Sequence, residues 1–104
     1  QRLSYKLMML TNKQIKFLKS KAHHLKPIVW IGEKGLSETL LKEIIDQLEI
    51  HELMKIKLNY HGTEKKAMAQ EVVVKTESNY VSLIGKTLIL YKPAAEPKLV
   101  IPQN

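Results

Sequence analysis

Residues 29–37 read Val29-Trp30-Ile31-Gly32-Glu33-Lys34-Gly35-Leu36-Ser37. An apolar run ends at Gly32, a lysine sits against a second glycine, and Ser37 can cap a helix. The stretch is a strand, a short loop and a helix start. Upstream, Pro27 forbids further helix, so Ile28-Val29-Trp30-Ile31 reads as a short buried strand. Downstream, a helix runs from the Ser37 cap to about Glu49, with Leu40, Leu41, Ile44, Ile45 and Leu48 as its buried face.

Outward from there the signals continue in both directions. Before the strand, residues 11–25 form a helix: Thr11 and Gln14 make a capping box, and Leu10 and Ile15 stand where a hydrophobic staple closes. Ile15, Leu18, Ala22 and Leu25 form its apolar stripe. After the second helix, Met54 to Tyr60 alternates with period two, the mark of a half-buried strand, and the chain turns at His61-Gly62-Thr63. Residues 64–78 are the ambiguous segment. Thr63 can cap a helix and Met68, Ala69, Val72 and Val73 suit a helix face, while Val72-Val73-Val74 equally suits a strand; the polar spacing ahead of the triplet favours helix. Val81 and Leu83, then Thr87 to Tyr91, are two strands around a Gly85-Lys86 turn. The tail after Lys92 holds three prolines and reads as an extended strap or a flexible end. The expected fold is a single compact layered α/β domain of order α-β-α-β-α-β-β. It has a mixed four-stranded sheet with helices packed on it, and the glycine loop lies between the first strand and the second helix. Residues 1–8 are set aside as an N-terminal arm or a cloning remnant, residues 9–92 are the domain, and 93–104 are the tail.

The net charge is +7, and it is unevenly spread. Residues 1–36 carry eight basic side chains and one acidic, 37–54 carry one basic and five acidic, and 55–104 carry eight basic and four acidic. The excess leads into the glycine loop, which points to a polyanionic partner, nucleic acid foremost. A solvated lysine face is the bland alternative. Cysteine is absent, which removes disulfides, thiolate metal sites and cysteine nucleophiles, and fits a reducing cytosol. No apolar run approaches the ~18 residues of a membrane span, and there is no signal-peptide pattern. A cytoplasmic location is expected.

Helix N-termini expose unpaired N–H groups, glycines let a backbone approach a phosphate without a Cβ between, and Lys34 adds a full charge. Gly32-Glu33-Lys34-Gly35 is therefore a candidate phosphate contact, although a plain strand-to-helix turn uses glycine too. The Walker pattern and the dinucleotide fingerprint are both missing, whereas a GxxG loop clamps nucleic-acid backbone in KH modules. Lys13, Lys16 and Lys19 extend a cationic face if the first helix packs beside the loop. Lys57 and Lys86 are further candidates. Phe17, on the lysine side, could stack on a base, or be partly buried. His23 and His24 are adjacent and do not share a helix face. His51 and His61 lie beyond them without HExxH spacing, so no metal is expected. Glu38, Glu43, Asp46 and Glu49 read as a solvated face, and no nucleophile–base–orienter set is discernible. No catalytic residue, cofactor or small-molecule substrate is assigned.

Several stretches together resemble the CRM domain (chloroplast RNA splicing and ribosome maturation) in its stand-alone bacterial YhbY-type form. They are Leu10-Thr11 with Leu18-Lys19, Ala22 to Pro27, Ile31 to Ser37, and Ile84 to Lys92. The resemblance spans residues 9–92 and implies a fold similar to the C-terminal domain of bacterial translation initiation factor three. It also implies RNA binding through the loop, here Gly32, Glu33, Lys34 and Gly35, and through neighbouring basic surface including Lys19. For bacterial members it implies association with precursors of the large ribosomal subunit. Glu33 departs from a purely cationic loop.

The expected protein is a monomeric, non-enzymatic RNA-binding protein of ribosome assembly, its partner large-subunit rRNA in pre-ribosomal particles. A DNA-binding or nucleoid-type protein and a protein-interaction module on the ribosome are the alternatives.

Overall fold

The computed structural model describes residues 10–103; the expectation for residues 1–8 lies outside them. The chain forms α1 (Asn12–Ala22), β1 (Val29–Ile31), α2 (Glu38–His51), β2 (Leu53–Leu58), α3 (Gly62–Thr76), β3 (Asn79–Ile84) and β4 (Thr87–Tyr91). Its four strands make one sheet in the order β1-β2-β4-β3. β1 and β2 are parallel and joined by α2; β4 is antiparallel to both β2 and β3. The element order and the mixed sheet match the sequence reading. β4 takes a central place because nearly every one of its residues is buried, whereas β3 exposes Tyr80 and Ile84 and forms an edge.

The sheet separates two cores. On one face α2 and α3 enclose Val29, Ile31, Ile44, Leu48, Met54, Ile56, Leu58, Ala69, Val72, Leu88 and Leu90. On the other, α1 covers Leu53, Val81, Ile89 and Tyr91 with Leu18 and Ala22. The ambiguous triplet is helical: Val72 is buried in the first core and Val74 is 63% exposed. A strand would also have displaced Ala69 and Met68, which pack there.

Helix ends follow local chemistry in two cases and depart from it in two. The Thr11 box forms as a pair, Gln14 N–H to Thr11 Oγ1 at 3.1 Å and Thr11 N–H to Gln14 Oε1 at 2.9 Å, and stabilises α1 by about 1 kcal/mol. Ser37 accepts from the Leu40 amide at 3.1 Å. Thr63 does not cap α3. The helix already begins at Gly62 after His61, with no side-chain cap, so Thr63 sits within the first turn. α1 also stops early, at Ala22, because Pro27 and the turn at His23 lift the chain away; Leu25 is exposed and leaves the predicted stripe.

Two burial expectations are corrected. β1 is not a wholly buried strand: Val29 and Ile31 are inside, but Ile28 and Trp30 are exposed, Trp30 by 63%. β1 is an edge strand, and α1 lies over the other half of that sheet face. Ile45 on α2 is likewise 40% exposed, because the helix rolls Ile44 and Leu48, not Ile45, onto the sheet.

The tail follows the surface as a strap. The carboxylate of Glu52 accepts from the amides of Ala94, Lys98 and Leu99 at 2.8–3.1 Å, and Gln14 Nε2 donates to Pro102 O at 2.7 Å. Leu99 and Ile101 then pack on the α1-side core.

Candidate nucleic-acid interface

The glycine loop stands at the carboxyl end of the parallel pair, where open α/β sheets bind ligands. It is a tight turn, with the Gly35 amide donating to Gly32 O at 2.9 Å. Gly35 has φ +72°, a left-handed conformation that an L side chain resists. Gly32 differs: it has no positive φ, and a Cβ built on it meets nothing within 4 Å. The turn therefore needs glycine at position 35 but not at position 32. The Tyr60 hydroxyl also donates to Gly32 O, so the turn after β2 anchors the loop following β1. Glu33 and Lys34 form its exposed tip.

Three segments meet at this end. Ile31 pairs with Leu58, and the Leu58 amide donates to Lys86 O at 2.7 Å. The loop and the Gly85-Lys86 turn thus flank the end of β2 from its two sides, about two strand spacings or 10 Å apart. Lys57 lies just inside, opposite Trp30 on one neighbour and Thr87 on the other. Alternation puts Trp30, Lys55 and Lys57 on the α1 side of the sheet, since Val29, Ile31, Met54, Ile56 and Leu58 fill the opposite core.

The first-helix lysines divide between two flanks. Lys19 borders a depression on the open sheet face together with His23, Lys55, Ile84 and Thr87. There the Lys55 ammonium donates to Leu25 O at 2.9 Å. Lys13 and Lys16 stand on the other flank and line a shallow groove with Phe17, Val100 and Pro102. The structure thus gathers Gly32–Gly35, Lys57 and Lys86 at one end, sets Lys19 beside them, and holds Lys13 and Lys16 apart. Phe17 is half-buried against the α1-side core, with Lys21 Nζ 5.6 Å from its ring centre.

The electrostatics are segregated by face. α1 contains no acidic residue, and neither does the open sheet surface formed by Trp30, Lys55, Lys57, Lys86 and Thr87. Acids concentrate on α2. A cleft beside the loop has Trp30 and Lys34 in its lining together with Glu33 of the loop and Glu43 of α2. Among the described residues, no group of three or more His, Cys, Asp or Glu side chains could hold a metal ion.

Two residues of this end escaped the sequence reading. Trp30 reads as part of a buried strand because Ile28-Val29-Trp30-Ile31 is apolar throughout and carries no alternation that would single it out. Tyr60 read only as the last position of an alternating strand, and nothing local signals a hydroxyl reaching 28 residues back.

The family model for the CRS1 / YhbY (CRM) domain matches residues 10–92. The chain is 42% identical over 93 residues to the Probable RNA-binding protein YqeI of Bacillus subtilis, covering 88% of this chain and 97% of that one. It is 41% identical over 96 residues to a Haemophilus influenzae protein named RNA-binding protein, covering 91% and 97% respectively. The solution structure of a hypothetical protein from Staphylococcus aureus superposes with a TM-score of 0.79 at 36% identity, covering 90% of this chain and all of that one.

Proposed function

The chain belongs to the CRS1 / YhbY (CRM) domain family, and from that premise we propose that it is a cytoplasmic, non-enzymatic RNA-binding protein. It acts in assembly of the large ribosomal subunit by binding rRNA of precursor particles. Relatives named as RNA-binding proteins support the polymer class. The observation that carries the site is Gly32. The fold has no steric or conformational need for glycine there, and the position sits at the cationic end of the sheet. A bare Cα next to Lys34 leaves room for a sugar-phosphate backbone.

In this reading the loop and the adjoining start of α2 seat one phosphate, with Lys34 contributing its charge. Glu38 and Glu43 lie on α2, so the RNA path turns the other way, across Lys86 and Lys57 towards Lys19. Such contacts position RNA without reading its sequence, and selectivity comes from RNA shape. The test is Gly32→Ala: RNA affinity should fall while thermal stability stays at the wild-type value. Unchanged affinity would remove the loop from the interface.

A further inference from the structure

The only tryptophan of the chain, Trp30, is 63% exposed, between neighbours that are 2% and 0% exposed. It projects from the edge strand onto the sheet face that α1 leaves open, and it also lines the cleft beside Gly32, Lys34 and Gly35, which Glu33 and Glu43 line as well. Its partner across the parallel pair is Lys57. Other aromatic rings among the described residues are otherwise placed. Tyr91 is buried, Tyr60 is tied to Gly32, and Phe17 lies against the core under Lys21. Tyr80 pairs with Leu90, whose side chain lies in the opposite core.

We infer that Trp30 is a stacking platform for an unpaired nucleobase of the bound RNA, held beside the backbone clamp formed by the loop. The inference rests on the RNA reading above and specifies the kind of segment bound: a single strand, bulge or junction with a base splayed out. Three features select a nucleobase. The indole face is open to solvent. On the sheet face Trp30 shares with Lys57 and Lys86 a surface without acidic side chains, whereas Glu33 and Glu43 line the cleft on its loop side, so a polyanion approaches from the Lys57 side. And the loop next to it can fix a phosphate, which brings the attached base within reach of the ring. Lys57, adjacent on the same face, is placed to meet the next phosphate. An aromatic platform flanked by cations is the usual arrangement for unpaired strands, and stacking tolerates any base because each has a π-face.

Because Trp30 is the sole tryptophan, its emission reports on the site directly. The full chain would be titrated with oligoadenylate, with oligouridylate, and with an abasic oligonucleotide of equal length and charge. The expected result is quenching by both base-bearing strands, more strongly by adenylate, and none by the abasic one. Trp30→Ala should weaken oligoadenylate binding roughly 5- to 100-fold without changing the salt slope, because stacking releases no counterions. Trp30→Phe should recover part of the loss. Lys34→Ala should do the reverse, lowering the slope and leaving the quenching at saturation. Unchanged emission on saturation with oligoadenylate, with Trp30→Ala binding as wild type, overturns the stacking inference alone if Lys34→Ala still weakens binding. It would leave Trp30 to a protein partner. No binding of any RNA overturns this inference and the RNA reading together. Melting temperatures of the Trp30 variants at the wild-type value would exclude a packing role.

Discussion

The Tyr60 hydroxyl donates to the carbonyl of Gly32, joining the turn after β2 to the loop after β1. That same carbonyl accepts the Gly35 amide, so a single oxygen holds both the loop's internal turn and its attachment to the sheet. Tyr60→Phe removes only the attachment, and the carbonyl keeps a partner. Stability should drop by no more than about 1 kcal/mol. RNA affinity should fall several-fold, because a looser loop must be ordered on binding. Urea unfolding and an RNA titration of the same variant measure the two effects.

The two loop glycines should separate stability from binding. Gly35→Ala forces a Cβ onto φ +72° and should cost about 1–2 kcal/mol. Gly32→Ala meets open space and should stay within about 0.5 kcal/mol of wild type, yet weaken RNA binding. Equal stability losses for the two substitutions would contradict the separation.

The flanks of α1 should contribute unequally. Lys19 faces the open sheet depression, while Lys13 and Lys16 face the tail groove. Lys19→Ala should lower the salt slope of RNA binding by about 0.7, and the Lys13→Ala/Lys16→Ala pair should lower it by less than that. A larger effect of the pair would move the RNA path onto the tail side.

Glu52 makes the strap sensitive to acid. Only 3% exposed, its carboxyl is pushed up by burial, but the amides of Ala94, Leu99 and Lys98 and the Lys98 charge outweigh this and hold it below its ordinary value. A depressed native value means the stabilisation is complete above the ordinary carboxylate range and is lost as pH falls through the lowered value. Glu52→Gln should cost about 1.5–3 kcal/mol at pH 7. The gap to wild type should narrow under acid conditions, as read by urea unfolding at both pH values.

What was legible in the chain was local. The Thr11–Gln14 box and the Ser37 cap are decided within four residues, and both form. The glycine loop was legible because its neighbours, an apolar strand and a capped helix, are unambiguous. What escaped depends on contacts far along the chain. Whether Trp30 is covered depends on where α1 lies across the sheet, and Val29-Trp30-Ile31 is apolar in either case. α3's start shifted because His61 and Gly62 could open the helix before Thr63, and a capping residue does not exclude an earlier beginning. Helical spacing already sets Lys13 and Lys16 opposite the apolar stripe and Lys19 towards its flank. What each of them meets is decided only when Leu18 and Ala22 are fixed on the sheet, which turns position 19 to the open sheet depression and positions 13 and 16 to the tail groove.

The most direct measurement is a salt-series affinity titration of the wild type and of a Lys34→Ala/Lys57→Ala/Lys86→Ala variant. Each would be titrated against a large-subunit rRNA fragment and a duplex DNA of similar length. Tighter rRNA binding, with the slope reduced by about 2 in the variant, is the predicted result. Equal affinity for both polymers, or a variant that matches wild type in affinity and slope, would contradict an RNA interface at this end of the sheet.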